Sequence, residues 1–219
     1  MPLDPVALQL GQPNCNSIVA VLLAAGSGKR LGGVSKARIP FRNSTLLEYA
    51  VQNLLDAGAG QVICCLREED LDAFFASPFL SRFVASGRCQ AVVPRPGFGL
   101  SESVQAAYLH VAHDGAKDTG ILFHQVDRPL VAVGFLARLI QAFLQSRCAV
   151  ISSCDGEWMP PAIVPLGLEH KLTELQGDQG LKKLFIANEF DFHVIDASRE
   201  ELFAFDVDTL ADLSRLRNL

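Results

Sequence analysis

The chain of 219 residues has little of several things, and each shortage removes a class of protein. It has no basic excess. With 19 Lys and Arg against 24 Asp and Glu, the net charge of −5 is the reverse of the cationic footprint that broad nucleic-acid binding leaves. It has no long apolar run either: the longest aliphatic stretch reaches only from Ile18 to Ala25, against the roughly 20 residues that a membrane-crossing helix needs. Neither a nucleic-acid partner nor a membrane is expected. No Lys or Arg precedes Lys29, so the start of the chain lacks the basic segment of a secretory or transit peptide, and a cytoplasmic protein is expected. The six cysteines (Cys15, Cys64, Cys65, Cys89, Cys148, Cys154) include no C-x-x-C spacing and mostly sit in or beside apolar runs. They read as reduced core residues, and His110 and His113, one helical turn apart without a cysteine nearby, read as surface residues of a helix.

What the sequence does have is apolar patterning, with 49% hydrophobic residues, enough for a sizeable core. Strand-like runs alternate with helical periodicity, the pattern of an α/β protein: a three-layer α/β/α sandwich with a Rossmann-like, mostly parallel sheet. Ser17 to Leu23 is nearly continuous in apolar residues, which predicts a central strand buried on both faces. Thr45 and Glu48 have capping-box spacing, and Leu46, Leu47, Ala50, Val51, Leu54 and Leu55 form one helical face that closes near Gly58. Strands are predicted at 61–66, 89–93, 120–124 and 149–153, and helices at 101–113 and 132–144. The last third is less regular. It reads as a loop over 156–161, a short apolar run at 162–165, a turn at 177–180, strands near 192–195 and 203–205, and a helical stretch over 210–216. Residues 1–16, with Pro2, Pro5 and Pro13, read as an N-terminal extension, and residues 17–219 as one domain without internal repeats or a linker.

The strongest chemical signal follows the first strand, at Leu23-Ala-Ala-Gly-Ser-Gly-Lys-Arg-Leu-Gly32. Its glycines let the backbone turn sharply and bring bare N–H groups to an anion. From Lys29 to Arg42 there are five cations (Lys29, Arg30, Lys36, Arg38, Arg42) and no Asp or Glu, so an anionic ligand is indicated. Two common phosphate motifs do not fit. A dinucleotide fingerprint G-x-G-x-x-G places its third glycine where Leu31 stands, one position before Gly32. A Walker loop needs Lys and a hydroxyl residue after its second glycine, but Val34 and Ser35 follow Gly33.

These residues resemble the MobA-like nucleotidyltransferases, which include the molybdenum cofactor cytidylyl- and guanylyltransferases and the methylerythritol-phosphate cytidylyltransferases. The family pattern L-A-[AG]-G-x-[SG]-x-R-[ML]-G followed by a Lys is similar to Leu23, Ala24, Ala25, Gly26, Ser27, Gly28, Arg30 and Gly32 with Lys36. The resemblance implies a fold of the nucleotide-diphospho-sugar transferase type, a loop around an NTP triphosphate, and Arg30 and Lys36 as its charged contacts. Ala25 at the third position implies CTP over GTP. Gly99-Leu-Ser101-Glu-Ser103 resembles the G-[ML]-S-x-S segment of the molybdenum cofactor cytidylyltransferase branch and implies nucleotide contacts from Gly99, Ser101 and Ser103. On local grounds Ser101 also reads as a helix N-cap.

Asp127, in Gln125-Val-Asp-Arg-Pro129, follows a strand and resembles the family's metal carboxylate in G-D-x-P, with Val126 replacing the glycine. Asp206-Val-Asp208-Thr209 resembles the D-x-D-T ending, which implies that Asp206 or Asp208 completes a Mg²⁺ site with Asp127. Read locally, Asp208 is equally a helix N-cap. Gly177-Asp178-Gln-Gly180 resembles an acceptor-side segment and implies that Asp178 contacts the acceptor, with molybdopterin or the molybdenum cofactor as the implied phosphorylated partner. Trp158-Met159-Pro160-Pro161 stands where relatives often have Gly-His-Pro, so another phosphorylated metabolite, such as a methylerythritol phosphate, stays open. The implied reaction is attack of an acceptor phosphate on the α-phosphorus of CTP with release of pyrophosphate, aided by Mg²⁺, Arg30, Lys36 and Asp127. A non-catalytic nucleotide- or cofactor-binding protein of the same fold is the competing reading.

Overall fold

The computed structural model describes residues 17–97, 99–114, 119–187 and 189–219; the expected extension at 1–16 lies outside them. In chain order the elements are β1 (Ile18–Leu23), β2 (Pro40–Phe41), β3 (Ser44–Thr45), α1 (Leu46–Asp56), β4 (Gln61–Cys65), α2 (Leu71–Ala76), α3 (Pro78–Ala85), β5 (Cys89–Val92), α4 (Gly99–Asp114), β6 (Gly120–Gln125), α5 (Val133–Ser146), β7 (Ala149–Cys154), β8 (Glu157–Pro165), α6 (Glu169–Leu172), α7 (Lys182–Ala187), β9 (Phe192–Asp196) and α8 (Leu210–Arg217). Seven strands form one sheet in the order β5-β4-β1-β6-β8-β7-β9, in which β8 runs antiparallel to both its neighbours and the other pairings are parallel. The three-layer α/β/α architecture and the central place of β1 are as the sequence predicts.

Strand alternation assigns the two cores. Ile18, Ala20 and Leu22 of β1 face a layer built from α1, α2, α3, α5 and α8, while Val19 and Val21 face α4, α6 and α7. Because both faces of β1 are covered, its sequence can be apolar throughout. Helix α1 starts at the predicted capping box: the Glu48 N–H donates to Thr45 Oγ1 at 3.2 Å, and the Thr45 N–H donates to Glu48 Oε2 at 2.9 Å. Its six predicted apolar residues are all buried, and each fully buried Leu or Val contributes about 1.5–3 kcal/mol.

Three expectations are corrected. The stretch 156–161 is largely strand, since β8 begins at Glu157 and pairs with both β6 and β7; its prolines mask the pattern. Residues 203–205 form no strand. Phe203 and Phe205 are apolar because they fill the core, with the Phe203 ring 4.7 Å from that of Phe135. Between β4 and β5 lie two short helices, α2 and α3, that the sequence reading does not anticipate; Ser77 caps α3 by accepting from the Leu80 N–H at 3.1 Å.

Among the described residues no helix is long and apolar enough to cross a membrane. Cys64, Cys65 and Cys89 are buried free thiols, and Cys15 lies outside the described residues. His110 bonds Gln90 Oε1, on the neighbouring strand β5, at 2.7 Å through Nε2.

Candidate functional site

Parallel strands deliver their following loops to one edge, and open α/β sheets bind ligands there. The residues after β1, β4, β5 and β6 all line a cleft of about 1060 Å³ at that edge. Leu23 to Arg30, Lys36, Gly99, Ser103, Asp127, Asp178 and Asp208 line it, so most of the residues singled out from the sequence converge. Ser101 and Asp206 are not among the lining residues.

The loop after β1 is shaped by its own backbone bonds. The Leu31 N–H donates to Gly28 O at 2.8 Å and the Gly33 N–H to the same oxygen at 2.9 Å. Gly28 sits at φ +59°, and a Cβ there would lie 2.2 Å from Val34 O, so the turn closes too tightly for any side chain. The loop's own bonds begin at Leu31; among the described residues the N–H groups of 25–28 carry no backbone bond. They border the cleft as a set of backbone hydrogen-bond donors.

Lys36 and two carboxylates form the charged centre. Lys36 Nζ donates to Asp127 Oδ2 at 2.6 Å and to Asp208 Oδ1 at 2.5 Å, and Arg30 reaches Asp208 Oδ2 at 2.6 Å. The Lys36 side chain is only 12% exposed. Burial alone would pull its pKa down, but Asp127 and then Asp208 reverse this and hold it above the ordinary lysine value. Asp208 is held below the usual carboxylate range by the Lys36 hydrogen bond, against the opposing effect of burial. Asp206 moves the other way: burial, and then the neighbouring Asp208 and Asp127, push its carboxyl up. The Val207 N–H donates to Asp127 O at 2.8 Å, which ties the two acidic segments together and sets Asp208 toward the cleft.

The local reading of Asp208 as a helix cap is corrected. Thr209 caps α8, accepting from the Asp212 N–H at 3.2 Å, while Asp212 accepts from the Thr209 N–H at 2.8 Å. Asp208 is therefore left for the cleft. Ser101 is likewise not an N-cap: α4 already begins at Gly99, so Ser101 lies in its first turn, and its N–H donates to Gly177 O at 3.0 Å. Gly99, at φ +78°, approaches the 177–180 turn so closely that a Cβ would sit 2.5 Å from the Gly177 carbonyl. The first turn of α4 thus joins the glycine-loop side of the cleft to the Asp178 side.

Can this site hold a divalent cation? Two carboxylate oxygens, on Asp127 and Asp208, converge on a single ammonium, which stands where a cation bridging them would bind. Among the described residues no group of three or more His, Cys, Asp or Glu side chains is placed to hold a metal. That donor set suits Mg²⁺, a hard ion commonly held by one or two carboxylates with phosphate oxygens and water completing its shell.

Three groups escape the sequence reading. Arg128, 5% exposed, donates to Pro160 O, to Phe203 O at 3.0 Å and to Met159 Sδ at 3.1 Å, and so pins β8 and the C-terminal segment beside Asp127. Glu102 is held by Arg95 through two bonds of 2.8 and 2.9 Å, which straps the loop after β5 to α4. Asp70 gathers Ser35, Arg38 and Arg67. The available signal is position: Arg67 to Asp70 is a charged run directly after a buried strand.

The chain is similar to known proteins in sequence and in fold. Nicotine blue oxidoreductase of Paenarthrobacter nicotinovorans is 28% identical over 94% of this chain and 100% of its own length. A protein named a probable molybdenum cofactor guanylyltransferase, from Opitutus terrae, is 29% identical over 70% of this chain and 69% of its own length. The 2-C-methyl-D-erythritol 4-phosphate cytidylyltransferase of Corynebacterium glutamicum is 29% identical over 61% of this chain and 54% of its own length. Among solved structures, Rv0371c of Mycobacterium tuberculosis superposes with a TM-score of 0.73 at 26% identity, covering 93% of this chain and 98% of that one. The same protein is also known as a complex with manganese, similar to this chain with a TM-score of 0.70 at 24% identity, over 93% of this chain and 99% of that one. Residues 20–191 match the MobA-like NTP transferase domain, and the chain belongs to that family.

Proposed function

We propose that the protein transfers a nucleotidyl group, CMP from CTP, to a phosphate on an acceptor and releases pyrophosphate. The observation that carries this reading is the convergence of Lys36 on Asp127 and Asp208 beneath a loop of bare amides. Two phosphates of like charge must approach in line, and an acceptor phosphate is already anionic near neutral pH, so no general base is required. The protein's work is electrostatic and positional. The amides of 25–28 and Arg30 cradle the triphosphate. Lys36 exchanges partners, turning from its two carboxylates to the phosphates, where its charge offsets that building on the leaving pyrophosphate. Asp127 and Asp208 would hold Mg²⁺, which when bound neutralises phosphate oxygens. Asp206 stays outside the cleft lining and supports the reading less. Asp178, close to Gly99 and lining the same cleft, would contact the acceptor. The manganese complex of the mycobacterial neighbour supports a divalent ion at a site of this fold.

Ala25 favours CTP, and relatives named for guanylyl and cytidylyl transfer leave molybdopterin and a methylerythritol phosphate as the acceptors to try first. A panel of CTP, GTP, ATP and UTP against phosphorylated acceptors, scored for Mg²⁺-dependent pyrophosphate, tests base, acceptor and activity together. Release with CTP and one acceptor is the expected result. One observation favours a second reading: the full-length relative is named an oxidoreductase. On that reading the same cleft holds a nicotinamide dinucleotide. Affinity for a nicotinamide dinucleotide in the absence of divalent metal, with no pyrophosphate from any NTP, would select it.

A further inference from the structure

The turn that carries Lys36 is a three-residue 3-10 turn, Lys36–Arg38, preceded by Gly32 and Gly33 at positive φ. It is closed by two backbone bonds, Arg38 N–H to Ser35 O at 3.1 Å and Ile39 N–H to Lys36 O at 3.2 Å. So short a turn, after two glycines, is marginal alone. Ala37 and Ile39 are buried and anchor it, but apolar burial is non-directional and does not fix where the Lys36 side chain points.

Asp70 supplies the missing direction. It lies after β4 with 2% exposure, and its carboxylate accepts from Ser35 Oγ at 2.8 Å and Arg38 Nε at 2.7 Å, the residues that bracket Lys36. Ser35 begins the turn, yet its hydroxyl makes no capping bond; it is committed to Asp70. Arg67 Nε donates to the same carboxylate at 3.2 Å, and Arg67 also reaches Gly33 O at 3.5 Å, on the glycine stretch ahead of the turn. Arg38 further donates to the Glu69 carbonyl. Asp70 is buried but its Arg38 partner is half-exposed, and an ion pair with a solvent-exposed cation adds little net stability, so stability is a weak explanation for it. Charge-assisted bonds of fixed geometry explain it better, because they set orientation.

We propose that Asp70 is a positioning residue for Lys36: through Ser35 and Arg38 it holds the turn so that the ammonium projects between Asp127 and Asp208. The functional consequence rests on the transferase reading above, whereas the positional claim does not. Two measurements keep them apart. The first is the acylation rate of Lys36 by sulfosuccinimidyl acetate, followed by mass spectrometry in the full chain without nucleotide. Asp70→Asn and Asp70→Ala are expected to raise it about 10-fold, the scale of losing one charge-assisted hydrogen bond. The second is turnover with the preferred NTP, where Asp70→Ala is expected to lower kcat by about 10²-fold, as small misplacements of a reacting group do. The double variant Asp70→Ala/Lys36→Ala should be no slower than Lys36→Ala alone, since Asp70 acts through that side chain. A residue that served folding only would give additive losses. Lys36 labelling unchanged in the Asp70 variants, or additive losses in the double variant, overturns the proposal. Should Asp70→Ala not fold, Asp70→Asn and Ser35→Ala test the same point, because both nearly keep the buried volume and weaken the same bonds. If the wild type releases no pyrophosphate from any NTP, the transferase reading fails, and the labelling rates alone decide the role of Asp70.

Discussion

Replacing His124 with leucine should remove a steep loss of stability on acidification. His124 ends a run of core residues in β6; it is 3% exposed, and its Nδ1 has no hydrogen-bond partner among the described residues. Burial, reinforced by the neighbouring Arg128, pushes its pKa from 6.5 down to about 3, with a backbone hydrogen bond to Arg128 acting the other way. The unfolded chain therefore takes up a proton as the pH drops through 6.5, whereas the folded chain does so only near 3. Stability from this group is complete above the unfolded value and is lost as the pH falls below it. At about 1.4 kcal/mol per pH unit, the loss is roughly 2 kcal/mol at pH 5 relative to pH 8. Urea unfolding followed by circular dichroism at pH 8, 7, 6 and 5 measures it, provided the m-value stays constant. His124→Leu shifts the absolute stability through packing, but the other titrating groups are common to both proteins and cancel in the slope. The wild type should lose about 2 kcal/mol more than the variant over that range. Parallel curves would show that the histidine is protonated in the folded protein and would refute the reasoning.

Three further outcomes follow from the cleft. Lys36→Ala should lower nucleotidyl transfer by about 10²-fold or more at unchanged urea midpoint, the scale of removing a preorganised charge contact; wild-type kinetics would remove Lys36 from the mechanism. Asp127→Asn and Asp208→Asn should each abolish Mg²⁺-dependent pyrophosphate release while Asp206→Asn retains most of it, because only the first two meet at Lys36; equal losses at all three would place Asp206 in the site. Gly28→Ala forces a Cβ to within 2.2 Å of Val34 O at a positive φ, so nucleotide affinity measured by calorimetry should fall at least about 10-fold, a cost of ~1–2 kcal/mol for the left-handed conformation alone.

Much of this molecule is written locally. The apolar run of β1 and the Thr45 and Glu48 box that starts α1 need only nearest-neighbour chemistry, and both stand as the sequence predicts. Elements that depend on distant partners are harder to read. Strand β8 is hidden by Pro160 and Pro161 because its strand character comes from pairing with β6 and β7. Phe203 and Phe205 look like strand residues because burial selects the same side chains whether or not a ladder forms.

The same division holds in the cleft. By itself the sequence determined that a loop rich in glycine and cations follows the central strand, since glycines, cations and the absence of acids from Lys29 to Arg42 are properties of one continuous segment. It could not choose between Asp206 and Asp208, which alternate along the chain and differ only in what they face. In the tertiary structure the Val207 N–H donates to Asp127 O, Asp208 meets Lys36, and Thr209 takes over the helix cap. The tertiary structure alone revealed the bonds of Asp70 to Arg38 and Ser35, which lie 32 and 35 residues away. Hydrogen bonds act over about 3 Å in space regardless of separation along the chain, so only the folded arrangement of strands could bring those groups together.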